Sequence, residues 1–212
     1  MVYTAQKLGL DRMIKYLDRF GIGKLTGIDL QGEVVAEIKP KENWYVVDLA
    51  TTGFGQGISV TPIELLTAFS SIANNGVMME PHIVGSVTDI HGEIAKIPPK
   101  EIGKPITQAS ARVMTEVLVN AVDKGEAKWA KIEGYRVAGK TGTASIPVEG
   151  KYDSTKTIAS FIGFAPATEP KFVMLVILDK PTARIYGAET AAPVFFSIAK
   201  GLFTYYGIAP ED

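Results

Sequence analysis

The stretch Arg136-Val137-Ala138-Gly139-Lys140-Thr141-Gly142-Thr143-Ala144 decides how this chain is interpreted. It combines one lysine, two threonines and two glycines within nine residues. Glycine inside a strand often marks a place where a ligand or another backbone approaches closely. The stretch therefore predicts a strand from Tyr135 to Ala144, with a groove along its outer face and with Lys140 partly buried against polar neighbours. A glycine-rich turn with a solvated lysine is the simpler alternative.

The same residues also match a phosphate-binding loop. Gly134 to Thr141 satisfies the pattern G-x-x-x-x-G-K-[ST] letter for letter. That pattern binds phosphate when a buried strand precedes it and a helix follows, because the helix N-terminus and the loop amides hold the phosphates. Residues 124–131 are instead charged and helix-like, and Pro147 and Gly150 lie where the helix should begin. The context argues against a nucleotide site.

Composition excludes several classes of protein. The chain has 212 residues, of which 46% are hydrophobic and 21% charged, as in an ordinary globular domain. A net charge of -1 gives no field that would attract nucleic acid or an anionic membrane. The chain has no cysteine, and His82 and His91 lack spaced partner ligands, so we expect neither a metal nor another cofactor. The start lacks the features of a signal peptide, and the apolar run from Phe172 to Leu178 is too short to span a bilayer.

The rest of the chain predicts helices packed on an antiparallel sheet, an α+β fold. Thr61, Pro62 and Glu64 have the spacing of a capping box with proline at the first helical position, which begins one helix. The other predicted helices run from Thr4 to Phe20, from Thr107 to about Gly125, and from Ala188 to Tyr206. The predicted strands are two short ones around the turn Ile90–Glu93, and a hairpin of Thr157–Ala165 with Lys171–Lys180.

Lys140-Thr141-Gly142 resembles the K-T-G box of the penicillin-binding transpeptidases, a family of serine enzymes. Three other segments resemble that family: Leu8 to Leu30, Gly53 to Pro62, and Thr157 to Pro166. The resemblance covers nearly the whole chain. It implies the C-terminal part of a transpeptidase domain of the large, class B-like type.

The resemblance implies a reaction and a role for each residue of the box. A serine attacks the penultimate D-Ala carbonyl of a peptidoglycan stem peptide, and an amine of a neighbouring strand takes the acyl group. β-Lactams mimic that substrate. Lys140 would supply positive charge, Thr141 and Thr143 would offer hydroxyls to the substrate carboxylate, and Gly142 would permit close approach. The Thr143 N–H would be a donor of the oxyanion hole. The family works outside the cytoplasmic membrane of bacteria, held by an anchor that would lie upstream.

The family's first two motifs, S-x-x-K and S-x-N, do not precede Lys140. The one S-x-x-K, Ser197-Ile198-Ala199-Lys200, follows the box on a predicted helix. There Val194, Phe195, Ile198, Leu202 and Phe203 are interpreted as core residues, so the match is attributed to chance. We therefore expect residues 1–212 to form a partial domain that cannot react alone and that needs the N-terminal half of the domain as a partner. A non-catalytic binding or scaffold module of the same fold, and a nucleotide hydrolase, are the alternatives.

The segment from Phe172 to Leu178 is apolar at every position, which predicts a strand covered on both faces. In the family this strand also pairs with a strand from the N-terminal part of the domain. We therefore expect one edge to be unpaired here. An open apolar edge favours recruitment of the missing half, self-association or poor solubility.

Overall fold

The described part of the chain, residues 1–148 and 151–211 of a computed structural model, divides into two units. The first is Met1–Gln108 and the second is Ala109–Asp212.

The first unit begins with two helices where the sequence predicts one. Helix α1 (Val2–Leu8) and helix α2 (Leu10–Arg19) are separated by Gly9, whose φ of 80° is incompatible with a continuous helix. The prediction of a single helix from Thr4 to Phe20 is therefore wrong. Helix α2 ends at Arg19, and Gly21, the glycine predicted to stop it, follows with a φ of 73°.

Helix α4 begins with the predicted capping box. A 3₁₀ turn (Lys41–Asn43) and helix α3 (Val46–Thr52) precede it in a stretch for which the sequence predicts no helix. In α4 (Pro62–Ala73), the Thr61 hydroxyl accepts the Glu64 N–H at 3.2 Å. The Glu64 carboxylate accepts the Thr61 N–H at 2.6 Å.

Two small antiparallel sheets complete the first unit. Strand β1 (Met78–Met79) pairs with β4 (Glu101–Gly103), and β2 (Ser86–Thr88) pairs with β3 (Ile94–Lys96). The second pair is the hairpin that the sequence predicts. Helix α5 (Gln108–Lys124) then follows, where the sequence also predicts a helix.

The second unit contains the sheet that carries the K-T-G box. Strands β5 (Ala138–Val148), β6 (Lys151–Ala165) and β7 (Phe172–Asp179) pair antiparallel in the order β5-β6-β7. A 3₁₀ turn (Lys128–Ala130) precedes β5, and helix α6 (Ala191–Tyr205) follows β7. The predicted α+β architecture is confirmed.

Helix α6 covers one face of this sheet through aromatic packing. The ring of Phe161 on β6 lies 4.6 Å from that of Phe195 and 5.5 Å from that of Phe196, measured between centroids. Tyr135 stacks on Phe203 at 4.1 Å. The β7 side chains that pack against this core are Phe172, Met174, Val176 and Leu178.

The other face of β7 corrects an expectation. The apolar residues of β7 are all half-buried except Ile177, which is 41% exposed. One face of the strand packs against the core and the other carries Val173, Leu175 and Ile177, so the expected full cover on both faces is wrong. Within residues 1–148 and 151–211, β7 pairs with β6 alone, so its second edge lacks a strand partner, as predicted.

Candidate active site

Strand β5 presents the four residues of the K-T-G box on alternate faces. Thr141 lies opposite Phe161, Gly142 opposite Ser160, and Thr143 opposite Ala159 on β6. Because side chains alternate along a strand, Lys140 projects from the face of Gly142, whereas Thr141 and Thr143 share the face of Phe161. The predicted strand begins at Ala138, three residues later than expected.

Lys140 is exposed, which contradicts its expected partial burial. Its Nζ donates to the Thr141 carbonyl oxygen at 2.9 Å and lies 3.3 Å from the Thr141 hydroxyl oxygen. The physical reason is that Lys140 projects from the face of β5 opposite to that of Phe161, whereas helix α6 packs on the Phe161 face. The ammonium group is therefore available to an anion.

The two threonines have different surroundings. Thr141 is half-buried, and Thr143 is exposed. The Thr143 hydroxyl oxygen accepts a hydrogen bond of 3.1 Å from the backbone N–H of Gly187. Gly187 precedes α6 and lies 44 residues away in sequence.

Gly139, which precedes the box, and Gly142 within it both lie close against neighbouring strand β6. A Cβ at Gly139 would lie 2.7 Å from the Phe161 ring, and a Cβ at Gly142 would overlap the Ser160 hydroxyl oxygen. The close approach that glycine permits here is therefore an approach of β6, which the sequence did not reveal. The sequence did not predict a role for Ser160 or Gly187. Ser160 meets the box only because β6 pairs with β5, and Gly187 meets it only because the chain folds back to β5 after β7.

The phosphate-loop alternative does not fit this geometry. Gly139, Lys140 and Thr141 lie within β5, each opposite a residue of β6, and strand structure continues to Val148. A phosphate loop would instead lead directly into a helix.

The S-x-x-K match lies on the surface of α6. Ser197 and Lys200 are both exposed, and Val194 and Ile198 are 40% and 45% exposed. The interpretation of Val194 and Ile198 as core residues is wrong, whereas Phe195 and Phe203 are buried. The α6 stripe that faces the sheet is formed by Phe195, Phe196, Ala199 and Phe203.

The described residues contain no group of three or more acidic, histidine or cysteine side chains that could hold a metal ion. None of the described helices combines the length and the apolarity that crossing a bilayer requires.

Known proteins of one kind resemble this chain in sequence. The family model "Penicillin binding protein transpeptidase domain" matches residues 1–200. Stage V sporulation protein D of Bacillus subtilis is 38% identical over 213 residues, covering 99% of this chain and 33% of that protein. Peptidoglycan D,D-transpeptidase FtsI of Escherichia coli K12 is 32% identical, covering 94% of this chain and 32% of that protein. This chain thus spans about a third of the length of these relatives.

Solved structures agree in fold. Penicillin binding protein 3 of Mycobacterium tuberculosis, in complex with ampicillin, superposes with a TM-score of 0.92 at 29% identity. The match covers 99% of this chain and 49% of that one. The transpeptidase domain of penicillin-binding protein 3 from Burkholderia pseudomallei gives a TM-score of 0.86 at 29% identity, covering all of this chain and 62% of that one. Sequence and fold lead to the same family, and this chain belongs to the penicillin-binding protein transpeptidase domain family.

Proposed function

We propose that this chain supplies the third sequence motif of a serine D,D-transpeptidase that cross-links peptidoglycan stem peptides. The observation that carries the proposal is Lys140-Thr141-Gly142-Thr143 on β5, a strand at the end of the sheet order with Lys140 and Thr143 exposed. The parent protein would act outside the cytoplasmic membrane of a bacterium. Its substrates would be stem peptides, and β-lactams would occupy the same site.

The box supports anion recognition and charge stabilisation. Lys140 and Thr143 are both exposed, so the Thr143 hydroxyl can contact a bound carboxylate and the Lys140 ammonium can add positive charge to the site. A strand at a sheet edge also presents backbone N–H groups that no neighbouring strand uses. That is the condition under which the Thr143 N–H can donate to the oxyanion that forms in the transition state.

The nucleophile and its base would come from residues outside this sequence. Covalent catalysis needs a nucleophile beside a group that activates it. Ser197 and Lys200 are both exposed on α6, and no hydrogen bond between them is found among the described contacts. We therefore assign them no catalytic role, and the chain alone should not react with penicillin.

Labelling with a fluorescent penicillin tests the proposal. The 212-residue chain alone should not form an adduct, and intact-mass spectrometry would verify this. The chain co-expressed with an N-terminal transpeptidase segment that carries S-x-x-K and S-x-N should restore labelling. In that pair, Lys140→Ala should slow acylation by at least about tenfold, because a preorganised charge is lost.

Lys200→Ala is the matched control, since it removes an exposed lysine outside the box. A stoichiometric adduct on Ser197 of the chain alone would overturn the proposal. A reconstituted pair that never labels would favour the non-catalytic binding or scaffold module.

A further inference from the structure

The hydrogen bond from Gly187 to Thr143 uses the Thr143 hydroxyl oxygen as an acceptor and leaves the hydroxyl proton free to donate. A threonine hydroxyl has one proton to donate and an oxygen that can accept. In this structure the oxygen accepts the Gly187 N–H at 3.1 Å. The proton therefore remains for another acceptor, and the exposure of Thr143 makes it accessible to a ligand.

The backbone around Gly187 is held in place from both sides. The Thr157 hydroxyl, on a residue that is 3% exposed, donates to the Ile185 carbonyl at 2.6 Å. The Gly187 carbonyl accepts the Ala192 N–H at 2.9 Å, at the start of α6. Ala188 is buried in the core beneath α6. Because these anchors lie within a few residues of Gly187, its N–H has a fixed direction.

Only glycine fits at this position. A Cβ at Gly187 would overlap the carbonyl oxygens of Gly142 and Ser160 and would lie 3.1 Å from the Ser160 nitrogen. These are backbone atoms of paired strands, so they cannot rotate away as a side chain could. A larger residue must displace the 185–188 segment from β5, and the displacement would move the N–H away from Thr143.

We propose that Gly187 is a positioning residue, which orients the Thr143 hydroxyl so that its proton donates to the carboxylate of a ligand bound along β5. The ligand class is a peptide that ends in a free carboxylate, or a β-lactam that mimics it. The inference rests on the proposed function. It makes Gly187, which lies outside the box, a contributor to the preference for a carboxylate.

The test compares a carboxylate with its amide. N-acetyl-D-alanyl-D-alanine and its C-terminal amide are titrated into the ¹⁵N-labelled 212-residue chain, and the ratio of the two dissociation constants is measured by NMR. The wild type should prefer the acid. Gly187→Ala and Thr143→Val should reduce that preference by about tenfold, the size expected for one hydrogen bond to a charged group.

Two variants serve as controls. Thr143→Ser keeps the hydroxyl and should keep the preference. Gly201→Ala adds a methyl group at an exposed glycine of α6, where the new Cβ would meet no atom within 4 Å outside the adjacent backbone of its own helix, and it should bind as the wild type does. If Thr143→Val loses the preference and Gly187→Ala keeps it, the positioning role is wrong and the proposed function stands. If the wild type shows no preference, the inference is wrong, whereas the proposed function is decided separately by penicillin labelling of the reconstituted pair.

Amide hydrogen exchange gives a second measurement that does not depend on the fold of Gly187→Ala. The Gly187 N–H should exchange faster in Thr143→Val than in the wild type, because its acceptor is gone. In Thr143→Ser it should exchange at the wild-type rate. Equal exchange in all three proteins would overturn the inference.

Discussion

Glu64 is a buried carboxylate with three backbone donors. Only 1% of the residue is exposed. One oxygen accepts the N–H groups of Gly23 at 2.9 Å and of Ala36 at 3.2 Å, and the other accepts that of Thr61 at 2.6 Å. The residue therefore closes the capping box and also holds two loop segments against the start of α4.

Glu64→Gln tests this role. The amide NH₂ would face N–H donors, so at least one buried hydrogen bond is lost and its partner stays unsatisfied. We expect the free energy of unfolding to fall by about 2 kcal/mol, as for hydrogen bonds to charged groups. Urea denaturation measures it. Glu42→Gln, at an exposed position, is the control, and an equal loss in both variants would contradict the assignment.

At the scale of elements, two carboxylates of the 24–34 segment organise neighbouring backbone. The pKa of Glu33 is held below its ordinary value by two hydrogen bonds from Thr26. The larger effect comes from the Thr26 hydroxyl and the smaller from the Thr26 N–H. The pKa of Asp29 is lowered chiefly by hydrogen bonds from the N–H groups of Ile83 and Val84, at 2.7 and 2.8 Å. Both carboxylates are thus stabilised in their charged form by folding.

The sign of the pH dependence follows from these lowered pKa values. The stabilisation is complete above the unfolded pKa values, about 4 for both residue types, and is lost as the pH falls through the lower folded values. Thermal unfolding followed from about pH 7 to pH 3 should show a falling midpoint below about pH 4. In the double variant Asp29→Asn and Glu33→Gln, the unfolding midpoint should fall less steeply with decreasing pH. If its pH dependence is unchanged, these two carboxylates are not the source of the fall.

At the scale of the whole molecule, β7 combines an edge without a strand partner in the described chain with a partly exposed apolar face. Val173, Leu175 and Ile177 form that face. An apolar edge strand is a template for pairing with another chain. The partner would be the N-terminal half of the domain when it is present, and a second copy of this chain when it is not.

Ile177→Lys tests this association. A charge beside the open edge makes pairing unfavourable. Sedimentation velocity at several concentrations should show oligomers for the wild type and a larger monomer fraction for the variant. Ile90→Lys is the matched control, because Ile90 is 94% exposed but lies at the β2–β3 turn. A wild type that stays monomeric, or an equal effect of both variants, would contradict the prediction.

What the sequence determined by itself was local. The capping box from Thr61 to Glu64, the helix stop at Gly21, the hairpin of β6 with β7 and the strand that carries Lys140 all depend on patterns a few residues long. Such patterns act through hydrogen bonds and side-chain periodicity within a turn or a strand. The motif in β5 and the segments around it were also sufficient to identify the family before any geometry was known.

The tertiary structure alone decided what depends on distant partners. Gly9 can continue a helix or interrupt it, and its φ was set by the surrounding fold. The exposure of Lys140, and of Val194 and Ile198 on α6, depends on which faces the neighbouring elements cover. The contact of Gly187 with Thr143 spans 44 residues. Packing between residues so far apart in sequence depends on how their side chains fit together and on the path of the chain between them. A sequence pattern a few residues long encodes neither of these.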